Sequence, residues 1–154
     1  MEPTDPKAED FSILTWIVKN DIKNEKQESL DFYNRPFFLD ILTDWNQEIV
    51  IKKCSQVGGS VVFHLKAFFA LLKFGWNIIY TMPSDSDVEE FVKTKTNPII
   101  QSNPSVFDGV NYDNVYLKQI GNRNLFFKGT ISKTADISTS SDINIHDEAS
   151  RSRS

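Results

Sequence analysis

A short apolar run, a loop of small residues and a long amphipathic run follow one another between residues 49 and 74. The apolar run covers residues 49–51, the loop ends in Gly58, Gly59 and Ser60, and the amphipathic run continues to Phe74. In the order strand, loop, helix, backbone N–H groups and the positive end of the helix can hold a phosphate group. The segment therefore predicts a phosphate-binding loop.

The loop departs from the pattern GxxxxGK[ST] at two positions. Lys53 stands where the first glycine belongs, and Gly59 stands where the lysine belongs. A long lysine at the end of the preceding strand can project across the loop toward the phosphates, and Ser60 keeps the hydroxyl that binds Mg²⁺. Lys52 would point to the opposite face of that strand. Gly-Gly-Ser is also common as a simple turn and helix cap, so the loop alone leaves nucleotide binding open.

Composition limits the class of protein. The chain has 154 residues, which suits one domain, and its 40% apolar and 25% charged residues are typical of a soluble globular fold. The net charge of -4 argues against DNA binding by a broadly basic surface. The single cysteine, Cys54, cannot form an internal disulfide and fits a reducing compartment. No secretion signal or membrane span is apparent, so we expect a cytoplasmic protein.

Helical and strand patterns alternate along the rest of the chain. Strands and helices in alternation predict a parallel sheet with right-handed crossovers. Ser84, Asp85 and Asp87 supply a cap and early negative charge for one helix. The predicted helices cover residues 11–18, 35–42, 59–74 and 84–101, and the predicted strands cover 48–53, 76–81, 115–120, 125–129 and 141–146, with a β-hairpin turn at 121–124.

The last predicted strand is followed at once by Asp147 and Glu148. Phosphoryl transfer to water uses two carboxylates, because one compensates the charge of the metal while the other accepts a hydrogen bond from the attacking water. An acidic pair is also favoured at the start of a helix, which is the simpler explanation. Together with the preceding loop, the pair predicts the second half of a nucleotide site.

Three segments together resemble the large subunit of tailed-phage terminases, the ATPase that packages viral DNA. They are residues 53–60, 77–84 and 143–149. In that family the Gln-Val-Gly form of the loop recurs, and some members have a deviant Walker A motif whose lysine comes first, as Lys53 does. The resemblance implies an α/β fold of the additional-strand, RecA-like P-loop NTPase type, with a mainly parallel sheet flanked by helices and an inserted β-hairpin.

The resemblance also implies a set of site residues. Lys53 and Glu148 would be the catalytic residues, Ser60 and Asp147 would bind Mg²⁺, and Arg35 and Phe37 would contact the adenine. ATP and Mg²⁺ are the implied cofactors. The residues implied to bind ATP along the loop are Lys53, Cys54, Ser55, Gln56, Val57, Gly58, Gly59 and Ser60.

Partners and domain limits follow from the same resemblance. Double-stranded viral DNA, the terminase small subunit and the portal of the procapsid would be partners, with a homo-oligomer when the protein is complete and no membrane. Residues 1–29 would form a leader with a short helix, and residues 30–154 a partial ATPase domain. A terminase continues past the Walker B strand to a coupling motif, further strands and a nuclease domain. We therefore expect an incomplete domain without the nuclease.

Three functions remain open at this point. The first is the ATPase domain of a terminase large subunit, which powers DNA translocation into the procapsid when complete. The second is a catalytically silent nucleotide-binding or assembly fragment, because an incomplete sheet is a poor basis for autonomous turnover. The third is a helicase-like P-loop ATPase, since such proteins share the fold and the paired carboxylates.

Overall fold

A computed structural model describes residues 12–46, 49–50, 59–130 and 140–147 of the chain. Within these ranges, no helix has the length and apolar character needed to cross a membrane. Two π-helical segments, Ala70–Phe74 and Val92–Thr96, directly follow α-helices. The α-helices are α1 (Ile13–Lys19), α2 (Phe37–Thr43), α3 (Gly59–Phe69), α4 (Asp85–Phe91) and α5 (Asn97–Ser102).

The described strands form one mixed sheet. They are β1 (Ile78–Met82), β2 (Leu117–Ile120), β3 (Arg123–Gly129) and β4 (Ile143–His146), in the spatial order β2-β3-β1-β4. Strand β1 runs parallel to both β3 and β4, whereas β2 and β3 are antiparallel. The fold is therefore mixed α/β with a mostly parallel sheet, as the alternation of patterns predicts.

The β-hairpin lies within the sheet, which corrects the expectation of an insertion. Its two strands are β2 and β3, and β3 occupies an interior position between β2 and β1. Apolar side chains line the contact between β3 and β1. Leu125 and Phe127 of β3 are buried and lie in register with Ile78 and Tyr80 of β1. The apolar face of β3 is thus covered, and its backbone pairs with a strand on each side.

The strand predicted at residues 48–53 falls mainly outside the described residues. Only Ile49 and Val50 of this segment are described, and neither is in a strand. Val50 is highly exposed, at 86%. The strand that was expected to lead into the phosphate-binding loop therefore stays a prediction.

Helix α4 begins as its sequence predicts. The Ser84 hydroxyl accepts a hydrogen bond from the Asp87 N–H, and Asp85 and Asp87 lie in the first turn. A serine cap satisfies one of the N–H groups that a helix start leaves unpaired, and the acidic residues favour the positive end of the helix dipole. The cap fixes where the chain turns from β1 into α4, at the carboxyl end of the parallel strands.

Helices α3 and α4 cover the same face of the sheet. His64 of α3 and Phe91 of α4 both pack on Tyr80 of β1, with ring centroids 5.7 and 5.4 Å apart, respectively. Phe91 also lies near Phe127 of β3. Only residues 75–77 separate the helical segment that ends at Phe74 from the amino end of β1, so the first turn of α3 is the end of the helix that lies farther along the chain from that edge of the sheet.

Candidate functional site

Seven of the twelve predicted site residues lie outside the described residues. This holds for Glu148 and for the loop residues Lys53, Cys54, Ser55, Gln56, Val57 and Gly58. Of the predicted loop, Gly59 is the first residue of α3, and Ser60 follows it in the first turn. Gly59 and Ser60 thus lie at a helix start, and phosphate binding there stays a prediction.

Asp147 directly follows β4, at the carboxyl end of the parallel strands. Its side chain is buried, with the residue only 3% exposed, and its backbone N–H donates to the carbonyl of Thr81 at 3.0 Å. The Tyr80 hydroxyl donates to Oδ2 of Asp147 at 2.7 Å. A buried carboxylate is costly unless hydrogen bonds support it, so this bond holds Asp147 in place.

A buried histidine connects the first turn of α3 to the sheet. Nδ1 of His64 lies 2.6 Å from the carbonyl oxygen of Ser60, and Nε2 lies 2.7 Å from the hydroxyl of Thr96. A carbonyl can only accept, so Nδ1 carries the proton and Nε2 accepts from Thr96. Burial lowers the pKa of His64 to about 4, while the Ser60 carbonyl and the charge of Asp147 act in the opposite direction. The ring is neutral at physiological pH.

A series of contacts connects the two predicted metal ligands through other side chains. Ser60 is bonded to His64, the His64 ring stacks on Tyr80 at an angle of 25°, and Tyr80 is bonded to Asp147. The helix start and the end of β4 are 87 residues apart in the chain (147 − 60). Ser60 is therefore linked to Asp147 through the side chains of His64 and Tyr80.

The donor set suits Mg²⁺ that is shared with a phosphate ligand. Ser60 and Asp147 offer hydroxyl and carboxylate oxygens, and Mg²⁺ in nucleotide sites is held by one or two carboxylates plus phosphates and water. Among the described residues, no group of three or more His, Cys, Asp and Glu side chains is placed to hold a metal ion. Ser60 and Asp147 have the donor chemistry that Mg²⁺ takes beside a phosphate, and Mg²⁺ binding stays a prediction.

The predicted adenine contacts lie at the start of α2. The Arg35 guanidinium sits 5.7 Å from the ring centre of Phe38, and Phe37 packs edge-on against the same ring at 4.7 Å. Both Arg35 and Phe37 are exposed, and Phe38 is buried. Helix α2 packs against α3, so the segment is joined to the helix that begins at Gly59. The contact with adenine stays a prediction.

The sequence did not indicate Tyr80, His64 or Thr96 as part of the site. Tyr80 lies in an apolar strand, and a buried tyrosine normally needs a partner for its hydroxyl, which is the one available signal. His64 is buried and makes two hydrogen bonds, which gives it a structural role. Its partner Thr96 lies 32 residues away in the chain, beyond the reach of any local pattern.

Comparisons with protein-family models, with curated proteins and with solved structures find no match. The mixed α/β class rests on the geometry described above.

Proposed function

We propose that this chain is a Mg²⁺-dependent ATP-binding domain of the kind that powers DNA packaging in tailed-phage terminases. The supporting observation is the set of contacts from Ser60 through His64 and Tyr80 to Asp147. One end of this set of contacts is a helix start that follows a glycine-rich segment. The other end is an acidic residue that follows a parallel strand. Ligands of α/β proteins commonly bind at this carboxyl edge of the sheet.

Each residue of the proposed site has a distinct task. Lys53 would neutralise phosphate charge, and the backbone of Gly58 and Gly59 would surround the phosphates. Ser60 and Asp147 would hold Mg²⁺, which supplies positive charge against the phosphate oxygens. Glu148 would accept a hydrogen bond from the attacking water.

The DNA-packaging part of the proposal rests on the resemblance of three segments to terminases. The net charge of the chain is -4, so contact with double-stranded DNA would have to be local. Binding DNA over a broad surface requires many lysines and arginines that displace counterions from the phosphates. The small subunit, the portal and a homo-oligomeric assembly belong to the proposal on the same ground. A silent nucleotide-binding module is the alternative that the experiment below separates.

The neighbouring lysines Lys52 and Lys53 provide a matched test. Hydrogen bonds to charged groups contribute roughly 1.5–3 kcal/mol, so we expect Lys53→Ala to weaken Mg·ATP binding by about 30-fold. Lys52→Ala should change it by less than about 3-fold, because alternation along a strand directs Lys52 to the opposite face. Isothermal titration of both variants measures this difference, and equal losses would contradict the assignment of Lys53.

Phosphate release distinguishes the enzyme from the silent module. Wild-type chain that binds Mg·ATP and releases phosphate faster than a Glu148→Gln variant would act as an ATPase. Binding without any release would identify the chain as a nucleotide-binding module. Absence of binding in the wild type would reject both forms of the proposal.

A further inference from the structure

The Tyr80 hydroxyl is placed to orient the carboxylate of Asp147. Tyr80 is fully buried at the centre of β1, and its ring is packed against His64, Phe91 and Phe127 at centroid distances of 5.4 to 5.7 Å. Its hydroxyl donates to Oδ2 of Asp147 at 2.7 Å. Because three rings immobilise the phenol, the hydroxyl is a fixed donor rather than a mobile one.

A fixed donor matters to a carboxylate that binds Mg²⁺. The terminal torsion of an aspartate is broad, so the plane of the carboxylate is set by its hydrogen bonds. Mg²⁺ requires nearly ideal octahedral geometry, which makes it sensitive to the orientation of each ligand. Removing a group that hydrogen-bonds to a metal-binding side chain commonly lowers the metal affinity by about 10- to 100-fold.

His64 contacts the backbone, not the hydroxyl, of the other proposed ligand, Ser60. It binds the carbonyl of Ser60 through Nδ1 and stacks on the Tyr80 ring. The Thr96 hydroxyl fixes the far side of the imidazole. Tyr80 therefore contacts both His64, which is bonded to the Ser60 backbone, and the carboxylate of Asp147.

We propose that Tyr80 is a positioning residue for Mg²⁺ in the nucleotide site: its hydroxyl holds one oxygen of Asp147 so that the carboxylate and the Ser60 hydroxyl can bind one ion. This inference rests on the proposed function, since it concerns the metal that accompanies ATP. It assigns Tyr80 no contact with the nucleotide. Loss of the hydroxyl should therefore affect only the Mg²⁺-dependent part of binding.

Tyr80→Phe tests this directly, with Tyr116→Phe as a matched control. The Tyr116 hydroxyl also donates to a carboxylate, Oε1 of Glu89 at 2.6 Å, but on the exposed surface. Isothermal titration measures the Kd of ATP in Mg²⁺ and in EDTA for each protein. We expect Tyr80→Phe to reduce the Mg²⁺-dependent gain in affinity about 10-fold and to leave the EDTA value within about 2-fold. Tyr116→Phe should change neither value.

A double-mutant cycle separates positioning from general loosening of the fold. If Tyr80 acts through Asp147, adding Tyr80→Phe to an Asp147→Asn variant should cause no further loss of the Mg²⁺-dependent gain. An additional loss in the double variant would show that Tyr80 acts by another route and would overturn the inference. A full Mg²⁺-dependent gain in the folded Tyr80→Phe variant would overturn it as well.

A measurement on the unmutated site covers the case in which Tyr80→Phe does not fold. The chain has 4 tyrosines, so the ¹⁹F signal of 3-fluorotyrosine at position 80 can be assigned by elimination with Phe variants of Tyr33, Tyr112 and Tyr116. Adding Mg²⁺ to the ATP-bound chain should shift the Tyr80 signal and leave that of Tyr116 in place. An unmoved Tyr80 signal would overturn the inference.

The two proposals fail in different ways. Wild-type chain that binds no ATP rejects the proposed function and the inference with it. If Mg²⁺ raises the ATP affinity of the wild-type chain and of the Tyr80→Phe variant by the same factor, only the role of Tyr80 is rejected.

Discussion

Gly129→Ala is expected to destabilise the fold by about 3 kcal/mol, the upper range for a residue forced into packed space. An ideally placed Cβ at Gly129 would lie 2.5 Å from the carbonyl carbon of Ser84 and closer still to the amide nitrogen of Asp85. Both are backbone atoms at the start of α4, so no side-chain rotation relieves the clash. The Gly129 N–H also donates to Oδ1 of Asp85 at 3.2 Å. The free energy of unfolding in urea measures the loss.

Gly109→Ala is the matched control, because it adds the same methyl group where space is open. No atom lies within 4 Å of a Cβ placed there, although the backbone has a φ of +79°. That left-handed conformation should cost an alanine roughly 1 kcal/mol. If the two variants lose equal stability, close packing of β3 against α4 is not what requires glycine at position 129.

The stability of the fold is expected to fall by about 3 kcal/mol as the pH decreases from 6.5 to 4, through His64 alone. Burial lowers the pKa of His64 from 6.5 to about 4, so in this range the unfolded chain binds a proton that the folded chain does not. The contribution of neutral His64 to the free energy of unfolding is complete above pH 6.5 and is lost as the pH approaches 4. Asp147 and Glu25 favour the charged ring, and Lys95 opposes it.

Replacing His64 isolates that contribution. Glutamine can donate to the Ser60 carbonyl and accept from Thr96 without titrating. We therefore expect His64→Gln to remove the loss of stability that His64 causes between pH 6.5 and 4. Urea unfolding of both proteins between pH 4 and 7 gives the slope that belongs to His64. Identical slopes in wild type and His64→Gln would contradict a buried, neutral His64.

Local patterns were sufficient for several elements of the fold. The Ser84 cap, the end of the long helix at Phe74 and the hairpin between β2 and β3 all follow from residues close together in the chain. The interior position of β3 did not follow, because it depends on its parallel pairing with β1, some 47 residues away (Ile78 with Leu125). Patterns along a strand indicate that it is buried but not which strand lies beside it.

The residues of the candidate site also fall into those that local sequence patterns predict and those that depend on distant partners. Ser60 and Asp147 were predicted from their places after a loop and after a strand, and the structure puts them at a helix start and a strand end. Tyr80 and His64 were missed because their roles depend on partners in other elements, Asp147 for the first and Thr96 for the second. Such contacts arise only when the helices pack on the sheet.

The central claim is that the start of α3 and the end of β4 form one Mg·ATP site. Titration of the ¹⁵N-labelled chain with ATP and Mg²⁺, followed at the backbone amides of Ser60 and Asp147, tests it most directly. The account predicts that both amide signals shift together and reach half-saturation at the same ATP concentration, while the amide of Lys118 on the outer strand β2 does not respond. Unchanged Ser60 and Asp147 signals at saturating ATP, or a shift of only one of them, would contradict the account.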